Sequence, residues 1–150
     1  GAVSAEQCQE SCALAAGEVS AAFHDALSVE SLAALVESVR GACERLDPEE
    51  LSRRCRRSRR TLGRDLQKAG LPAAAAVVAW GRIFAASEML AAQSRSVESV
   101  SLALGLSGSA ALVHLYRHHV GPTPGEVRRL GGISYAIGIL KSRVAGNRLG

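Results

Sequence analysis

Helix-starting and helix-stopping residues recur through the last hundred residues of this chain at short intervals, and that punctuation restricts its fold more than any other feature. Asp47, Pro48 and Glu50 read as an N-cap, a first helical position and the partner of a capping box. A short helix follows with Leu51 and Cys55 inward. Ser58 is a second N-cap only ten residues after Pro48, so the first helix must turn before another runs from Arg59 to Ala69, where Gly70 and Pro72 end it. Two short helices joined by a tight turn form a helix-turn-helix unit. Pro72 then opens the longest helix, Ala73 to Ala92, interrupted only by Gly81. At 1.5 Å per residue, about 20 residues span roughly 30 Å. Beyond a polar loop from Gln93 to Arg95, Ser96 caps a helix reaching Leu104, Gly105 stops it, and Ser107 begins another that continues to about His119. This is a second unit of the same kind. Gly121 closes it, and Thr123, Pro124 and Glu126 repeat the starting grammar of Asp47, Pro48 and Glu50 for a last short helix, Val127 to Leu130.

Composition supports helices alone. The chain is 47% hydrophobic, mostly Ala, Leu and Val, with two Phe, two Tyr and one Trp. Such residues pack helices closely and supply few strand-forming runs. The expected fold is all-α: two helix-turn-helix units joined by a long linker helix, behind an N-terminal helical segment. Residues 1–27 are Ala-rich and acidic, read as one or two short helices broken at Gly17, or as the remnant of an upstream domain. From Ser28, the apolar residues Val29, Leu32, Val36, Val39, Cys43 and Leu46 recur at steps of three and four. That stripe is expected to pack on its own domain, which would span residues 28–130. The alternative is a homodimer seam through the helix Val29 to Leu46. Residues 131–150 form a tail in which Ile133, Ile137, Leu140 and Val144 mark an amphipathic helix.

The net charge of +4 hides a division along the chain. Residues 1–50 hold two basic and ten acidic side chains, whereas residues 51–150 hold sixteen basic and four acidic. The second part is built to meet a polyanion. Seven arginines crowd between Arg53 and Arg64, and arginine makes planar bidentate contacts with phosphate and with guanine edges.

The stretch SVESVSLALGLSGSAALVHLYRHHVGPTPGEVRR, Ser96 to Arg129, resembles the second helix-turn-helix of the AraC/XylS transcription regulators without a gap. LSRRCRRSRRTLGRDLQKAGLP, Leu51 to Pro72, resembles the first, and WGRIFAASEML, Trp80 to Leu90, resembles the end of the family's linker helix. The resemblance implies sequence-specific binding of double-stranded DNA by a bacterial regulator, with two recognition helices in successive major grooves and with RNA polymerase as a further partner. Carried over by position, the base-facing residues are Arg60, Gly63 and Arg64 in the first unit and Ala110, Val113 and His114 in the second. Arg59 and Thr61 are placed to hold phosphates. Arg56, Arg57, Ser109, Arg117 and His118 complete the expected DNA-binding set. Two departures stand out: Arg56 occupies a turn position where the family often has Gly, and the second helix offers Ala, Val and His where polar residues and an Arg are common.

Other readings are weaker. No Ser/His/Asp set, Gly-rich phosphate loop or paired carboxylates with a placed base is present, so no enzyme is expected. No cofactor and no metal are expected either. Zinc binding by Cys8, Cys12 and His24 would be a three-ligand set at loose spacing, His114 and His118 lack a third ligand, and the four cysteines are expected to be free thiols. Neither a membrane span nor a signal peptide is indicated, and a cytoplasmic location is expected. Single-stranded RNA binding lacks stacking aromatics. The rival from another class is an α-helical protein-protein adaptor with an Arg-rich helix, to which the acidic first 50 residues lend some force.

Overall fold

The structure, a computed structural model, describes residues 2–92 and 94–149; Gln93, which opens the expected polar loop, lies outside them. Among the described residues there are nine α-helices and no strand, as the composition predicts. They are α1 Ala5–Phe23, α2 Val29–Arg40, α3 Pro48–Arg54, α4 Arg59–Ala69, α5 Ala74–Leu90, α6 Val97–Ala103, α7 Ser109–His119, α8 Pro124–Leu130 and α9 Ile133–Leu149.

Helix α5 is the axis of the molecule and touches each of the other eight. Thirteen of its seventeen residues are buried, among them Val77, Trp80, Ile83, Phe84 and Met89. A helix apolar on all sides has to be enclosed by its neighbours. The one interior glycine has a packing reason. A Cβ built on Gly81 would overlap the carbonyl oxygen of Ser38 on α2 and stand 2.9 Å from its Oγ. Gly81 thus lets α5 and α2 approach backbone to backbone, and Ser38 keeps its own hydroxyl satisfied by donating to the Leu35 carbonyl at 2.6 Å.

The N-terminal segment departs from expectation. Helix α1 runs unbroken through Gly17, starts at a capping box formed by Ser4 and Gln7, and packs on α2 and α5. It buries Cys8, Cys12, Ala15, Ala16, Val19 and Phe23, so residues 5–23 share one core with the helices that follow. A single exposed Gly costs an α-helix roughly 1 kcal/mol, which this packing outweighs.

The stripe read on α2 is also shifted. Its buried face is Ser31, Ala34, Leu35, Ser38 and Val39, while Val29 is 81% exposed. Small residues that permit close approach carry as much of that face as the large apolar ones. The face is spent within the chain, against α1 and α5.

Helices α1 and α2 run back along each other, so the start of α1 meets the turn after α2. Cys8 and Cys43 lie 6.5 Å apart at Cα and are joined by a disulfide, which replaces two of the four expected free thiols. Cys12 and Cys55 are free. Tail helix α9 buries Ile137, Leu140 and Val144, as the spacing in the tail predicts, with Ala136 beside them and Ile133 only half-buried. No single described helix is long and apolar enough to cross a membrane.

Candidate nucleic-acid interface

Helices α3 and α4 form one unit, and α6 and α7 form another. Each begins with a side-chain cap. Asp47 accepts from the Glu50 N–H at 2.7 Å, and Ser96 accepts from the Ser99 N–H at 3.1 Å. The reciprocal half of the expected box at Asp47 is absent. Glu50 turns to Arg53 at 2.9 Å and Arg54 at 3.3 Å, and hydrogen bonds from Arg53 and then Arg54 hold its carboxyl below the usual range. The box at Thr123 and Glu126 does form in full, at 2.9 and 3.2 Å.

The two units turn in the same way. After α3, the Arg56 N–H donates to Arg53 and the Arg57 N–H to Ser52, both at 3.0 Å. After α6, the Gly105 N–H donates to Leu102 and the Leu106 N–H to Ser101, again at 3.0 Å. Both turns need a left-handed residue: Gly105 has φ 76° and Arg56 has φ 55°. Arg56 therefore adopts the glycine conformation, and the first turn is not displaced by its side chain.

The second helix of each unit is seated by apolar residues one turn apart. Helix α4 buries Leu62, Leu66 and Ala69, and α7 buries Leu112 and Tyr116. Tyr116 also locks α7 onto α5, because its hydroxyl donates to the Ile83 carbonyl at 3.0 Å and accepts from Ser87 at 2.7 Å. The opposite faces are exposed. On α4 the exposed face carries Arg60, Gly63 and Arg64, and on α7 it carries Ala110, His114, Arg117 and His118, with Val113 half-buried beside them. Gln67, one turn beyond Gly63 and Arg64, belongs to the α4 face and was not among the expected contacts, although the spacing from Arg60 could have shown it.

The arginine cluster divides into two sets. Arg57 stands between Glu30 at 3.6 Å and Asp65 at 3.4 Å, and Arg59 pairs with Glu49 at 3.3 Å. Arg54 reaches Glu37, Glu44 and Glu50. Acidic residues of the first fifty thus neutralise the arginines nearest to them. Among the described residues no ion pair is recorded for Arg56, Arg60 or Arg64, and all three are exposed. Thr61 is tied into its own cap, its N–H and its Oγ1 both bonded to Ser58 Oγ.

The start of α7 is occupied as well. Gly108 supplies no side-chain cap; instead Glu98 accepts from the Ser109 N–H at 2.7 Å. A negative side chain suits a helix N-terminus, but it also takes the donor a phosphate would use there. At the other end, the rings of His114 and His118 lie 6.0 Å apart, and Arg143 of α9 donates to the His119 carbonyl while its guanidinium covers Trp80 at 5.7 Å. Burial, then His118, Arg143 and His114, pull the His119 imidazole below its ordinary value.

A family model described as a helix-turn-helix domain matches residues 51–130, more than half of the chain. No curated protein and no solved structure shows a significant match.

Proposed function

The chain belongs to the AraC-type helix-turn-helix family of DNA-binding transcription regulators, and from that membership we propose that it reads a specific duplex sequence by laying α4 and α7 in successive major grooves. One observation carries this reading: two short-helix pairs with the same turn hydrogen bonds present their second helices outward from a shared axis, α5. The seventeen residues of α5 rise about 25 Å, most of the roughly 34 Å that separates neighbouring major-groove segments on one face of a duplex. The connections flanking α5 can supply the remainder. Because α2 spends its apolar face inside the chain, that face is not a dimer seam, and one chain carries both reading helices; RNA polymerase is the partner through which such binding would act on transcription. DNA as ligand places the protein in the cytoplasm.

Selection from a random duplex library, followed by anisotropy titration of the enriched site at rising salt, tests the proposal. Each neutralised phosphate contributes a slope of about −0.9 in log K against log salt. A defined enriched sequence spanning about two half-sites, with steep salt weakening, is expected. Enrichment of nothing, or affinity indifferent to salt, would return the chain to the adaptor reading.

A further inference from the structure

We propose that Cys8, Cys12 and Cys43 form a three-thiolate site for a divalent d10 cation of the zinc kind, and that the Cys8–Cys43 disulfide is the oxidised, cation-free form of the same site. Cys8 and Cys12 stand four apart on α1 and so share a face. Cys43 joins them from the turn after α2, thirty-one residues further along, with its Sγ 3.3 Å from that of Cys12. All three sulfurs lie within 4.8 Å of one another. With Zn–S bonds of about 2.3 Å, the sulfurs around one tetrahedral cation are roughly 3.8 Å apart. A structural disulfide needs only two sulfurs, and here a third is buried against them. Cys8 and Cys12 are 3% and 1% exposed, while Cys43 is half-buried. A cleft of about 250 Å³ beside Cys8 and Cys43, bordered by Gln9 and Glu44, opens a path for a cation and leaves the fourth ligand position to water. His24, exposed after the end of α1, takes no part.

The redox side of the argument rests on the DNA-binding reading in one respect. Chromosomal DNA lies where thiols are kept reduced, and there converging cysteines are better explained as metal ligands than as a permanent crosslink. Binding changes no oxidation state: three thiols release three protons to water as their thiolates take the cation. Starting from the disulfide, a phosphine supplies two electrons and leaves as its oxide, and water supplies the protons of the two thiols. The site also touches the second helix-turn-helix unit, since the Cys8 Sγ is 3.8 Å from the Ala103 carbonyl at the end of α6.

The full chain, reduced with a phosphine and freed of it without air, is titrated with Cd²⁺ while the thiolate-to-cadmium charge-transfer band is followed in the ultraviolet. One cation per chain and a band of three-thiolate strength are expected, with Zn²⁺ competing. Cys8→Ser, Cys12→Ser and Cys43→Ser should each remove about one third of the band. Each should also weaken binding by at least about tenfold, the scale on which even outer-shell changes act. Cys55→Ser should change neither. Alkylation and mass analysis of the reduced wild-type chain, with and without the cation, keep the test decisive if a variant fails to fold: three of its cysteines should be labelled more slowly when the cation is bound, and Cys55 equally in both. Absence of a saturable band overturns the proposal, as does protection of fewer than three thiols or closure of the Cys8–Cys43 disulfide under excess cation. None of these readouts involves DNA, so failure here leaves the duplex-binding result standing and the reverse also holds.

Discussion

Arg56 and Gly105 hold equivalent places in the two helix-turn-helix units, each left-handed, with φ 55° and 76°, and each followed by a residue whose N–H reaches back to a serine carbonyl. The left-handed conformation costs a residue with a Cβ roughly 1–2 kcal/mol. The first unit carries an arginine where glycine would be less strained, and its guanidinium is exposed.

Arg56→Gly should therefore raise stability by about 1 kcal/mol, a Tm increase of roughly 2–4 °C for a chain of this size. Duplex affinity should fall at the same time, and by a similar factor for all sequences, as loss of a backbone contact does. Thermal melting and anisotropy on the same preparation give both numbers. A variant that melts lower, or that binds as tightly as before, would deny Arg56 this double role.

The contact of Gly81 with Ser38 yields a prediction about the core. Gly81→Ala places a methyl group against backbone that cannot step aside, and overpacking of this kind typically costs 1–3 kcal/mol. Chemical denaturation should show a lower midpoint with an unchanged slope. No loss would mean that α2 and α5 are further apart than the structure has them.

Glu88 predicts a pH dependence. It stands half-buried on α5 with Oε1 unpartnered, and desolvation first, then Glu18 facing it from α1, raise its carboxyl above the usual value. A raised folded pKa contributes stability that is complete below the unfolded value and is lost as pH rises through the folded one. Glu88→Gln, which cannot ionise, should then melt higher than the wild type at pH 7. The two curves should converge near the ordinary Glu value, about 4.3. A constant difference across that range would assign the effect to packing.

The exposed faces predict a division of labour between the units. Arg60 and Arg64 share one face of α4, and a bidentate contact with a guanine edge is worth about 1–3 kcal/mol of discrimination. The α7 face offers Ala110, Val113 and His114, which form few directional bonds. Arg64→Ala should relax base preference at one or two positions in site selection, whereas Arg117→Ala should weaken all sequences about equally. Arg59→Ala should do less than either, because Arg59 is already paired with Glu49. Base preference lost only through α7 changes would reverse the assignment.

What could be read directly from the chain was local. Asp47, Ser58, Ser96 and Thr123 each cap a helix through a bond to a residue three positions on, and the stops at Gly70, Gly105 and Gly121 follow from the conformations those positions require. Interactions that close within one helical turn are decided by the residues in that turn. The leading exception shows the same rule: Ser107 reads as the cap of α7, but the donor at Ser109 is taken by Glu98, eleven residues earlier. Which arginines are spent also depended on distance along the chain, since Arg57 meets Glu30 and Arg59 meets Glu49 only once the helices have packed. Helix α1 hid its place in the core because five of its seven buried residues are Ala, Ser or Cys, whose apolar signal is too small to stand out against an Ala-rich background, leaving Val19 and Phe23 as the only large apolar marks. The meeting of Cys8 and Cys12 with Cys43, and of Gly81 with Ser38, joins residues that no local pattern relates. Capping and helical periodicity belong to the sequence because they act over three or four residues, whereas ion pairing, thiol convergence and close helix approach were settled by the paths of α1, α2 and α5 through the core.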